Sequence, residues 1–128
     1  MEERAGRKIL VVDDDPGVRD VIRSMLESAG YQVLAAENGR EAMKILKSAR
    51  VDLILTDLVM PEQEGIETIK TLRRDYPDVK VIAMSGAFGG DYLRIASYLG
   101  AHGTLPKPIQ MPALLKLIAE TLGQEPGE

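Results

Sequence analysis

Four aliphatic residues in a row, Ile9, Leu10, Val11 and Val12, run straight into three aspartates, Asp13, Asp14 and Asp15. A run that is apolar at every position, not at every second one, belongs to a strand covered on both faces. That demands layers above and below the sheet. It also poses a problem, because a buried strand delivers like charges on consecutive residues to its own tip.

Three further runs share the character of the first (8–12, KILVV). They are QVLAA (32–36), DLILT (52–56) and VKVIAM (79–84), with a weaker fifth from Gly103 to Leu105, just before Pro106. Helical patterns lie between them. After Pro16, a favoured first-turn residue, Val18, Val21, Ile22, Met25, Leu26 and Ala29 recur at helical spacing until Gly30 ends the run. Asn38 is a fitting N-cap for a second helix with Ala42, Ile45, Leu46 and Ala49 on one face. Ile66, Ile69 and Leu72 mark a third, ended before Pro77. A fourth spans 91–99, and a fifth carries Met111, Leu114, Leu115, Ile118 and Leu122. Strands alternating with helices imply β-α-β crossovers, hence an α/β fold. The expected architecture is a single (βα)5 unit, a doubly wound parallel sheet of flavodoxin-like type. It spans 8–122, with an N-terminal extension (1–7) and a polar tail or linker start (123–128).

Composition narrows the function. No apolar run approaches 18 residues, so no membrane span is expected, and MEERAGRK is too charged to open a secretory signal. The absence of cysteine excludes disulfides and thiolate metal sites and fits a cytoplasmic protein. With a net charge of −4 and no dense Lys/Arg stripe, the chain is not expected to bind nucleic acid.

In an open parallel sheet the functional crevice lies outside the carboxyl ends of the strands. The first strand delivers Asp13 and Asp14 there, the third Asp57, the fourth Ser85 and the fifth Lys107. Each has an ordinary structural reading: an aspartate caps a helix, Ser85-Gly86 opens a loop, and a lysine between prolines can be a surface residue. Asp15 keeps the capping role. The joint arrangement is the informative observation. Two carboxylates 4 Å apart repel by about 1 kcal/mol in water and about 4 kcal/mol in a partly buried site. A hard divalent cation relieves this, and an oxygen-only donor set favours Mg²⁺ over zinc. A phosphoryl group is the natural further ligand, with Lys107 as a point charge and Ser85 as a hydrogen-bond donor. Asp57 is then a candidate nucleophile that forms an acyl phosphate.

Taken in order, ILVVDDDPGVR, DLILTDLVMPEQEG, VIAMSG and GAHGTLPKP closely resemble the receiver domain of two-component response regulators, from about Lys8 to Leu122. The resemblance implies strand order 2-1-3-4-5 and a phosphorylation-dependent signalling switch rather than a turnover enzyme, with limited autophosphorylation and autodephosphorylation. Asp57 would accept a phosphoryl group from the phosphohistidine of a sensor histidine kinase or phosphotransfer protein. Asp14 would bind Mg²⁺ directly and Asp13 largely through water, with the Val59 backbone carbonyl as a further ligand. Ser85 would take the switch-hydroxyl position, Lys107 would contact phosphate, and the Lys107–Pro108 peptide would be cis. An output domain or downstream protein is the implied partner, and a homodimer is compatible.

The chain departs from the family where the signal is relayed. Thr104 and Ile109 stand where the family usually has aromatics, so an aromatic rotamer switch is not available. Gly86, Gly89 and Gly90 surround the sole phenylalanine, Phe88. Rearrangement of this loop is an alternative relay, to be read from its amide exchange with and without a phosphoryl mimic. His102 reads as a turn residue, Tyr92 and Tyr98 as decoration of the fourth helix, and the methionines as core filler. Two other functions compete. An aspartyl phosphatase would need a second acid two residues after Asp57, where Val59 stands. A flavodoxin-like nucleotide binder would need a Gly- or Ser/Thr-rich loop where Asp13 to Asp15 stand. A degenerate receiver acting only as an interaction module is disfavoured, because all five family positions carry usable chemistry.

Overall fold

Ile9, Leu10, Val11 and Val12 have no solvent exposure at all. Their side chains alternate between two cores: Ile9 and Val11 pack with Ile22, Leu26, Leu114 and Ile118, and Leu10 and Val12 with Ala42, Leu46, Ile69 and Leu72. A computed structural model describes residues 7–58, 64–86 and 90–123. Its elements are β1 (Lys8–Val12), α1 (Pro16–Ser28), β2 (Gln32–Ala36), α2 (Gly39–Ser48), β3 (Leu53–Asp57), α3 (Glu64–Asp75), β4 (Lys80–Ser85), α4 (Gly90–Tyr98), β5 (Gly103–Pro106) and α5 (Met111–Thr121). The strands form one parallel sheet in the order β2-β1-β3-β4-β5. Helices α1 and α5 cover one face, and α2, α3 and α4 the other. This is the doubly wound fold with the order that the family resemblance implies.

Each strand lies within one residue of its expected bounds. The third starts and ends one residue later, so Asp57 is itself a strand residue, in register with Met84. The fourth helix starts and ends one residue earlier than the expected 91–99. The caps follow the side chains. Asp15 accepts hydrogen bonds from the Gly17 and Val18 amides at the head of α1, and Asn38 accepts from the Glu41 amide at the head of α2. Gly30, at φ 97°, turns the chain out of α1 in the left-handed conformation that glycine tolerates. Tyr98, 91% exposed, decorates α4 as expected. One side chain is placed differently from the sequence reading: Met111, expected as core filler, is exposed at the start of α5, whereas Met84 is fully buried core. The Lys107–Pro108 peptide is cis.

Candidate functional site

The acids at the tip of β1 separate into three environments. Asp15 is exposed and serves as the cap. Asp14 is also exposed. Asp13 is entirely buried, and each of its polar groups has a partner. Its amide donates to the Ala36 carbonyl (3.2 Å), and its carbonyl accepts from the Arg19 guanidinium (2.6 Å). One carboxylate oxygen accepts from the Asp15 amide (2.9 Å) and the other from Lys107 Nζ (2.8 Å). The buried strand can therefore end in charge because a lysine from the far side of the sheet meets it.

Lys107 reaches two acids at once, bonding Asp57 at 3.1 Å as well as Asp13. Burial alone would lower its pKa, but hydrogen bonds and charge attraction from Asp13 and Asp57 outweigh that and raise it. The ammonium is therefore charged at neutral pH. Asp57 is 3% exposed, at the end of a central strand whose five residues are all buried. Its carbonyl accepts from the Thr56 hydroxyl at 3.1 Å, and the Leu58 amide after it donates to the Met84 carbonyl at 2.9 Å.

One carboxylate oxygen each from Asp13, Asp14 and Asp57 can be chosen so that all three lie within 4.8 Å of one another. Ligands of an octahedral Mg²⁺ lie about 3.0 Å apart when adjacent and about 4.2 Å when opposite, so the three acids are near enough to surround such an ion and would draw together to ligate it directly. All the donors are hard oxygens, which suits Mg²⁺ and not a thiolate- or imidazole-seeking metal. Val59, whose carbonyl the resemblance assigns to the metal, lies outside the described residues, as do Phe88 and Gly89 of the glycine-rich loop.

Ser85 follows β4 into the same rim. It is wholly buried, and its hydroxyl has no hydrogen-bond partner among the described residues. Leaving a buried hydroxyl unpaired costs about 1–3 kcal/mol, so this group is poised for an acceptor that the described residues do not supply. Thr104 is half-buried on β5 opposite Ala83, and Ile109 packs into the core beneath α1 and α5. Neither offers a ring to swing.

Sequence reasoning missed one residue at this rim and one at the opposite rim. Arg19 secures the carbonyl of Asp13 from within α1, and His102 is more than a turn residue. Its Nδ1 accepts the Val81 amide at 3.0 Å while its own amide donates to the Val81 carbonyl at 2.7 Å. Nothing in a helical arginine or a glycine-flanked histidine announces such bonds, because both partners are fixed only by the fold.

Residues 9–119 match the family model described as the response regulator receiver domain. Transcriptional regulatory protein GlrR of Escherichia coli (strain K12) is 33% identical over 116 residues, covering 91% of this chain and 26% of that protein. The chain thus spans about a quarter of that relative's length. A response regulator receiver domain protein from Clostridium thermocellum superposes with a TM-score of 0.86 at 28% identity, over 91% of this chain and 94% of that one. TrrA from Thermotoga maritima, solved in complex with Mg²⁺-BeF, gives a TM-score of 0.79 at 30% identity, over 90% and 98%.

Proposed function

The chain belongs to the response regulator receiver family of two-component systems, and from that premise we propose that it is a phosphorylation-dependent switch with Asp57 as the phosphoacceptor. The observation that carries this reading is the meeting of Asp57, Asp13 and Lys107 at one rim, with Lys107 Nζ 3.1 Å and 2.8 Å from the two acids. The donor is a phosphohistidine on a sensor kinase or phosphotransfer protein, and residues 8–122 form the acting unit in the cytoplasm.

In the transfer, a carboxylate oxygen of Asp57 forms a bond to phosphorus as the donor's N–P bond breaks. The imidazole nitrogen keeps the bonding pair and takes a proton. Lys107, already held between the two acids, neutralises one phosphoryl oxygen as charge builds there. The Ser85 hydroxyl, which lacks a partner among the described residues, donates to another, so the phosphoryl group supplies the acceptor that those residues do not. Asp13, Asp14 and Asp57 are the residues that would hold Mg²⁺. When bound, that ion would screen the acids from one another and stabilise charge on the phosphoryl oxygens. The Mg²⁺-BeF complex of TrrA supports the assignment. Hydrolysis reverses the roles: water attacks phosphorus and Asp57 leaves as a carboxylate.

Incubation with acetyl phosphate and Mg²⁺, followed by intact-mass analysis, tests the reading. A base-labile, acid-resistant phosphoryl adduct on Asp57 is expected. Turnover of many phosphate esters without an accumulating adduct would make the protein a phosphatase, and neither result would leave a pure interaction module.

A further inference from the structure

The segment that carries Asp57 ends in Gly65, a residue with no part in metal or phosphoryl contact. Gly65 is buried in the first turn of α3. A Cβ placed there would lie 2.5 Å from Leu58 Cα, 2.5 Å from the Leu58 carbonyl oxygen and 2.6 Å from the Asp57 carbonyl oxygen. All three are main-chain atoms, so no side chain can swing aside. Gly103 is different: the atoms nearest its added Cβ belong to the Leu117 side chain, the two methyl groups at 3.0 Å and Cγ at 3.2 Å.

Both sides of the Gly65 contact are anchored. Helix α3 is held by Ile69 and Leu72, fully buried, and by Thr68, 5% exposed. On the other side, Leu58 is 1% exposed and bonded through its amide to Met84. The Asp57 peptide is thus fixed on one side by the Thr56 hydroxyl and confined on the other by bare helix backbone.

We propose that Gly65 is a positioning residue for Asp57. Its missing side chain seats α3 directly against the Asp57–Leu58 main chain, and that contact sets where the Asp57 carboxylate stands relative to Lys107. The inference rests on Asp57 being the phosphoacceptor. A methyl group at Gly65 must widen a 2.5 Å gap to the 3.4 Å of ordinary contact. Helix α3 could yield only by drawing Ile69 and Leu72 out of the core, whereas the strand end need move only its last residues. The displacement therefore falls on Asp57. A misplacement of about 1 Å at a reacting group costs on the order of 100-fold in rate.

The test compares Gly65→Ala with Gly103→Ala in the full chain. Labelling by acetyl phosphate and Mg²⁺ is followed by intact mass, and each rate is divided by the folded fraction from circular dichroism. Trimethylamine N-oxide is added where a variant is partly unfolded. Gly65→Ala is expected to label roughly 100-fold more slowly per folded molecule, and Gly103→Ala at the parental rate whatever its stability. A parental rate per folded molecule for Gly65→Ala, or failure of that variant to fold even with the osmolyte, makes Gly65 a packing residue and overturns the proposal. If the parent itself does not label, the phosphoacceptor reading falls and takes this inference with it.

Discussion

Strand β3 is bracketed by acids, Asp52 before it and Asp57 at its end, and the two live in opposite surroundings. Asp52 accepts the Lys8 amide at 2.8 Å and lies 4.0 Å from Arg7 and 3.7 Å from Arg50. Its backbone bonds to Lys8 and Lys80 on either side. Its groups thus tie the start of β3 to both neighbouring strands. At the other end, Asp57 and Asp13 share Lys107, Asp14 lies exposed beside them, and the Ser85 hydroxyl has no partner among the described residues. One rim is electrostatically closed; the other holds charge in a state that a cation and a phosphoryl group would complete. The same residue type serves as a clasp or as a reagent according to what surrounds it.

The comparison breaks most visibly at Asp57. Asp57→Asn removes the nucleophilic oxygen but keeps the volume, so labelling by acetyl phosphate and Mg²⁺ is expected to vanish in the mass spectrum while the circular dichroism spectrum is unchanged. An adduct that persists on another residue would move the phosphoacceptor and undo the contrast between the rims.

Lys107→Met comes next. It retains the aliphatic stem and deletes the charge, and loss of one such donor costs on the order of 100-fold in rate. It also leaves Asp13 and Asp57 facing each other without a cation. The variant's melting temperature should therefore rise more steeply with Mg²⁺ than the parent's, since any ligand of the folded state stabilises by mass action. Equal magnesium responses in the two proteins would show that Lys107 does not offset the acids.

Asp52→Ala carries the same logic to the closed rim. The ion pairs there involve largely exposed arginines and contribute little; the lost acceptor for the Lys8 amide dominates, at about 1–2 kcal/mol in urea unfolding. Phosphoryl labelling per folded molecule should not change. A labelling defect would mean the rims are coupled through β3.

These differences bear on how far the sequence could be read. The uninterrupted apolar runs of β1 and β3 are fully buried, and their alternation with helical patterns was enough to define the layers. β5 was faint because it is an edge strand of four residues with only Leu105 buried, flanked by a glycine and a proline. The converging residues at the functional rim were legible because parallel topology sends every strand's carboxyl end to the same side. What VDLILTD does not disclose is that Asp52 has its partners already. Those are Arg7, Arg50 and the Lys8 amide, two of them more than 40 residues away in the chain. The 2.5 Å approach behind Gly65 was equally hidden, since glycine has the same letter in a tight helix contact as in an open loop such as Gly86.

The smallest expected effect belongs to the closed rim and is read through pH. His102 Nδ1 must be unprotonated to accept the Val81 amide. Burial lowers its pKa, and so do the positive charges that face it, Arg73 from α3 and Lys80 from β4. The unfolded chain then binds a proton more readily than the folded one. Stability from this group is in place above the unfolded value of about 6.5 and is lost as pH falls through the folded value. His102→Gln can still accept the amide but cannot titrate. In urea unfolding at pH 7.5, 6.5 and 5.5, the parent should lose stability relative to His102→Gln only on the acid side, by no more than one neutral hydrogen bond, about 1 kcal/mol. A difference that stays constant across the three pH values would mean the imidazole is not held in its neutral form. The closed rim would then be as indifferent to protons as it is expected to be to phosphate.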